Sequence, residues 1–112
     1  KKGEQRMPVQ IETGPEVVSA FLSGEIDHHN ARQLRTEIDE AAVRVLPAVL
    51  RLDFSGVEFM DSSGIGLVLG RYQLMEDLGG KLEVTGLPRH LRKVMTVAGI
   101  DKLGIVEEGT KR

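Results

Sequence analysis

A carboxylate, two hydroxyls and two glycines stand together in Asp61-Ser62-Ser63-Gly64-Ile65-Gly66, where the run Val57–Met60 gives way to an apolar stretch through Gly70. Asp61 or Ser62 is placed to accept from the free N–H groups of a first helical turn, and Gly64 and Gly66 keep that turn free of bulk. What this offers chemically is a seryl hydroxyl, on Ser63, that the backbone or active site of another protein can approach closely.

Other chemistries fit less well. Gly64-x-Gly66-x-x-x-Gly70 invites comparison with a dinucleotide-binding turn, but its third glycine comes one residue late, with Leu69 in its place, and 112 residues leave no room for the second half of such a fold. A nucleophilic Ser63 would need a histidine base and an orienting acid, and the surroundings are not the Gly-x-Ser-x-Gly elbow. Asp53 as the phospho-accepting aspartate of a receiver domain lacks an acidic cluster after the first strand, which ends Glu12-Thr13-Gly14. It reads instead as a polar strand end hydrogen-bonded to the nearby loop. His28 and His29 are adjacent and would point about 100° apart on a helix, a poor metal pair, while His90 sits among Arg89, Arg92 and Lys93 as part of a solvated basic face. No catalytic residue, metal or resident cofactor is expected.

The elements that must position Ser63 follow from periodicity. Pro8–Glu12 alternates, Thr13-Gly14-Pro15-Glu16 forms a turn, and Val17–Leu22 returns as a strand, so a hairpin is predicted. Asp27 is placed to cap a helix whose apolar face is Ala31, Leu34, Ile38, Ala41, Ala42 and Val45, stopped by Pro47. Ala48–Phe54 is a strand with Leu50, Leu52 and Phe54 on one face. After the serine motif, Ile65, Val68, Leu69, Tyr72 and Met75 form the core stripe of a second helix ended by Gly79-Gly80. Lys81–Thr85 is a short strand, Pro88 starts a third helix with Leu91, Val94, Met95 and Ala98 inward, and Leu103–Val106 is a last strand. The alternation predicts an α/β fold, a mixed and mostly parallel sheet with helices packed on it.

At 112 residues this is one domain, able to bury about two thirds of its unfolded surface. It has no cysteine or tryptophan, and no apolar run approaches the roughly 18 residues of a membrane span, so a cytoplasmic protein without membrane attachment is expected. The formal charge of −2, with both signs interspersed, lacks the electrostatic footprint of a nucleic-acid binder, and any effect on DNA should be indirect. The polar segment Lys1–Arg6 precedes Met7, which is either a natural start after added residues or an internal methionine; the domain is taken as 7–112.

Asp61-Ser62-Ser63-Gly64-Ile65-Gly66, followed by an apolar helix and Arg71-Tyr72 and preceded by Leu50–Val57, resembles the STAS domain of bacterial anti-sigma factor antagonists. The likeness extends to Gly24-Glu25-Ile26-Asp27 and Ala98-Gly99-Ile100. It implies that Ser63 is phosphorylated by an anti-sigma factor that is a serine kinase, that a serine phosphatase removes the phosphate, and that ATP is bound by the kinase and not by this chain. The implied partner-binding set is Asp27, Asp61, Ser62, Ser63, Gly64, Gly66, Leu67, Gly70 and Leu74. Gly70-Arg71-Tyr72 leans towards the sporulation branch, which acts on the anti-sigma F factor. One departure is the end, Glu107–Arg112, where relatives often continue into another helix.

On a helical wheel Leu67, Leu74 and Leu78 fall opposite the predicted core stripe, on the side of Ser63. They are expected to form an apolar docking seam beside the serine, although packing under a neighbouring helix or the N-terminal strand fits them too. The implied function is a non-enzymatic switch that frees a sigma factor while unmodified and releases the kinase once phosphorylated. The alternative is an interaction or assembly subunit of a stress-signalling or transport complex with no sigma-factor role.

Overall fold

The computed structural model describes residues 8–107, so the polar segment 1–6 and the tail after Glu107 lie outside the described residues. The hairpin forms as expected: β1 (Val9–Thr13) and β2 (Val17–Ile26) are antiparallel, with Val9 opposite Leu22 and Thr13 opposite Val18. α1 (Ala31–Val45) then leads to β3 (Val49–Met60), α2 (Ser62–Leu78) leads to β4 (Lys81–Thr85), and α3 (Arg89–Val97) follows. β3 runs parallel to β2 and β4 parallel to β3, in the order β1-β2-β3-β4. Each parallel step is bridged by one helix, because parallel neighbours need a crossover. The result is the mixed, mostly parallel α/β sheet that the alternation predicts.

Val18, Ala20 and Leu22 of β2, Leu50, Leu52 and Phe54 of β3, and Leu82 and Val84 of β4 enter one core with Leu34, Ile38 and Ala42 of α1 and Val68 and Met75 of α2. The alternate residues Ser19, Phe21, Arg51, Asp53 and Glu83 are partly or fully exposed, and Arg51 Nε meets Glu83 Oε1 at 2.9 Å across the sheet. Among the described residues, no helix is long and apolar enough to cross a membrane.

β3 continues six residues beyond the expected end at Phe54, and its second half explains why alternation failed there. Phe21 pairs with Asp53 and Ile26 with Met60, so five steps along β2 match seven along β3, with register shifts on the way. Bulged residues break the two-residue period, and the buried positions become Phe54, Val57 and Met60. The strand therefore delivers Met60 to the core and Asp61 to the start of α2.

Three expectations are corrected. α2 buries Gly64, Leu67, Val68, Arg71 and Met75, while Ile65 and Tyr72 pack partly buried and Leu69 is 43% exposed. Apolar residues surround this helix, so composition alone could not choose its orientation; Met60 over Gly64 and a partner for Arg71 do. Leu67 is thus core, Leu74 is half-buried against the core, and only Leu78 of the expected seam lies at the surface. In α3, Leu91 and Met95 are buried, but Val94 and Ala98 are exposed. In place of the last strand, Ile100–Leu103 forms a 3-10 turn, and Val106 makes a single parallel bridge to Val84. Gly99 and Gly104, both at positive φ, bound that turn and leave too few residues for a ladder.

Leu67→Ala is expected to lower stability in urea unfolding by about 2–5 kcal/mol, as for other buried leucines. Leu69→Ala should stay within about 1 kcal/mol of wild type, and the reverse ranking would show α2 rotated the other way.

Candidate functional site

Ser63 is set by the corner between β3 and α2. Asp61 N–H donates to the Ile26 carbonyl at 3.0 Å, tying the corner to the end of β2. Asp61 then caps α2: its backbone is extended, its Oδ1 accepts from Ser63 N–H at 2.8 Å, and its carbonyl accepts from Gly64 N–H at 2.9 Å. The cap is therefore Asp61, while Ser62 is exposed. The Ser63 N–H is the main reason the Asp61 carboxyl is held below the ordinary carboxylate range; the His28 ring, with Nδ1 at 3.8 Å from Asp61 Oδ2, acts in the same direction.

The glycines do different things. A Cβ on Gly64 would overlap the Cγ and Sδ of Met60, so this position serves packing, not access. A Cβ on Gly66 or Gly70 would meet nothing within 4 Å. These two open a groove of about 380 Å³ between α1 and α2, lined by Ser63, Gly66, Leu67, Gly70 and Arg71 on one side and Ala31, Arg32 and Arg35 on the other. Ser63 thus shares its surface with guanidinium groups and with only the edge of Leu67. Leu74 lies further along the helix, roughly 16 Å of rise from Ser63 at about 1.5 Å per residue.

Arg71 is the one buried charged side chain among the described residues, at 6% exposure. Its Nε lies 2.7 Å from Oδ1 of Asp39 on α1, and its Nη1 reaches the Leu67 carbonyl at 3.4 Å. The Nε–Oδ1 contact is close but poorly aligned for a hydrogen bond, so the two groups meet chiefly as opposite charges. Burial shifts both groups against their charged forms, raising Asp39 and lowering Arg71, and each opposes the other's shift by attraction. Arg32 and Arg35 fall off the apolar face predicted for the first helix, and Arg71 entered only as part of a resemblance. The available signal was the spacing of Arg71, three residues after Val68 and four from both Leu67 and Met75, which puts it on the buried stripe.

Asp27 lies just beyond Ile26, close to the corner but on a different hollow, which Glu25, Asn30 and Glu58 also line. Its Oδ1 accepts from His29 N–H at 2.9 Å and Asn30 N–H at 3.2 Å, and its own N–H donates to Asn30 Oδ1 at 3.0 Å. Asp27 organises the turn ahead of α1, while the capping position itself is Asn30. His90 does not simply face solvent, since its Nε2 lies 3.1 Å from the Glu58 carbonyl. Asp53 Oδ1 accepts from the N–H and Oγ of Ser55 at 2.8 and 2.7 Å, but both residues lie inside β3, so the expected strand end and loop partner are replaced by a bond within the strand.

Comparison with known proteins finds similar sequences and a similar backbone. The family profile described as "Mlab, STAS domain" matches residues 9–107. The chain is 33% identical over 97 residues to an anti-sigma F factor antagonist of Paenibacillus polymyxa, covering 87% of this chain and 83% of the relative. Its backbone superimposes on the anti-sigma factor antagonist SpoIIAA in its unphosphorylated form with a TM-score of 0.79 and 33% identity, over 92% of this chain and 89% of that one. The phosphorylated form of the Bacillus cell fate determinant SpoIIAA gives a TM-score of 0.72 at 33% identity, over 92% of each chain.

Two outcomes check the corner. Gly64→Ala should cost about 1–3 kcal/mol by overpacking against Met60, whereas Gly66→Ala should leave stability equal or raise it by up to about 1 kcal/mol. In a carbon-detected NMR titration the Asp61 midpoint should fall below the reference 3.8. Since the charged form is favoured in the fold, the cap's contribution is present above that pH and is lost as pH falls through the lower folded value. Ser63→Ala keeps the N–H donor, so most of the shift should persist.

Proposed function

The chain belongs to the STAS domain family, alongside the anti-sigma factor antagonists, and we propose that it acts as a phosphorylation-controlled partner switch. Unmodified, it docks through the Ser63 corner on an anti-sigma factor that is a serine kinase, and the sigma factor held by that kinase is set free. The kinase then transfers the γ-phosphoryl group of its own ATP to Ser63 Oγ. The new O–P bond forms as the bond to the ADP oxygen breaks, and the seryl proton passes to a base on the kinase. A serine phosphatase restores the hydroxyl. This chain supplies no catalytic group. The setting is the cytoplasm, and the sigma factor is one of sporulation.

The observation that carries this reading is the placement of Ser63. Its N–H is tied down by Asp61, while its side chain stands at the rim of a groove whose floor glycines leave open space. A phosphoseryl group adds about 1.5–2 negative charges, which a helix start tolerates. An interface closed over the same serine must desolvate them. A loss of about 2.8 kcal/mol in binding lowers affinity about a hundredfold, enough to separate partners without unfolding the chain.

The test is intact mass and peptide mapping after incubation with ATP and a purified cognate anti-sigma kinase. One phosphate, abolished by Ser63→Ala and retained by Ser62→Ala, is expected. No phosphate from a kinase active on another antagonist would overturn the switch; loss only with Ser62→Ala would move the acceptor by one residue.

A further inference from the structure

The groove beside Ser63 carries more positive charge than docking by a serine loop explains. Arg32 and Arg35 are exposed on α1, and Arg71 is buried on α2; all three line the same hollow as Ser63. The acidic groups facing it are otherwise occupied. Asp39 lies against Arg71 and attracts Arg35 only from a distance, while Asp61 bonds the Ser63 N–H through one oxygen and faces His28 with the other. Arg71 already has its carboxylate, which leaves Arg32 and Arg35 as the cations available to an incoming anion. Gly66 and Gly70 give that space no side chain of its own.

We propose that this groove is a built-in receptor for the phosphate on Ser63: once the serine is modified, Arg32 and Arg35 fold over the phosphoryl oxygens and α1 and α2 are bridged through them. A phosphomonoester dianion with three acceptor oxygens suits guanidinium donors, which bind it in paired hydrogen bonds. The phosphate is covalently tethered, so its local concentration is in the millimolar range and weak contacts suffice. The consequence is regulatory: the modified serine is held against its own chain, the groove is filled, and the surface offered to the kinase changes in shape as well as in charge.

The inference rests on Ser63 being the acceptor, but its test does not need the kinase. Phosphoserine is installed at position 63 during translation, and its second ionisation is followed by phosphorus NMR in the folded chain and in a phosphopeptide covering 58–68. The folded chain should titrate lower by about half a unit or more, since nearby opposite charge favours the dianion. In the Arg32→Gln, Arg35→Gln double variant, whose changes are at exposed positions, at least half of that shift should disappear; the helix start accounts for the remainder. Coincident titrations of the parent and double variant, with both folded by circular dichroism, would overturn the receptor while leaving the kinase reading untouched. Saturable binding of inorganic phosphate to the unmodified chain tighter than millimolar would also overturn it, by assigning the groove to a separate ligand.

Discussion

Everything about the serine depends on one steric constraint, the absence of a side chain at position 64. Met60 ends β3 pointing into the core, and its thioether occupies the space where a Cβ on Gly64 would lie. Because Gly64 leaves that space to Met60, α2 can begin immediately after the strand. Asp61 becomes both the last rung towards β2 and the cap of the helix. A larger residue at 64 would displace Met60 or the first turn, and Ser63 would lose its fixed N–H bond. The position of the hydroxyl is thus set by core packing next to it, and only secondarily by hydrogen bonding.

The second determinant is the pairing of Arg71 with Asp39. A guanidinium at 6% exposure is expensive to bury, and the Asp39 carboxylate offsets part of that cost. The pair fixes the azimuth of α2, since turning the helix to bring Leu69 inward would carry Arg71 away from α1. The same rotation decides what stands beside Ser63. With Leu67 inward, the groove is lined by glycines and arginines; the opposite rotation would have put a leucine seam there. A buried ion pair between α1 and α2 therefore selects the chemistry of the groove that opens beside it.

How much of this was legible in the sequence differs between elements for physical reasons. The hairpin, the order of strands and helices and the Gly79 stop were readable because turn residues and periodicity are local signals. β3 beyond Phe54 was not, because its bulges replace a two-residue period with the spacing Phe54, Val57, Met60. The last strand failed where Gly99 and Gly104 take positive φ and tighten the chain into a 3-10 turn. That a helix starts at the serine corner was visible in Asp61-Ser62-Ser63-Gly64. Its neighbours were not, because Arg32 and Arg35 reach the groove from a helix on the far side of β3 in the chain, and no spacing rule within α2 reports on them.

Gly66 and Gly70 supply the strongest sign that the groove has a use outside folding. Each lies in the interior of a helix, where glycine costs about 1 kcal/mol relative to alanine. Neither adopts positive φ, and a Cβ at either would touch nothing within 4 Å. Core packing explains Gly64 and backbone conformation explains Gly79, but neither explains these two. What they preserve is close access to the backbone of α2 along the line that starts at Ser63. The helix thus gives up stability on its open face, next to the Ser63 hydroxyl and two exposed guanidinium groups. The fold needs its buried face alone, and the composition of the other is consistent with the docking proposed for Ser63.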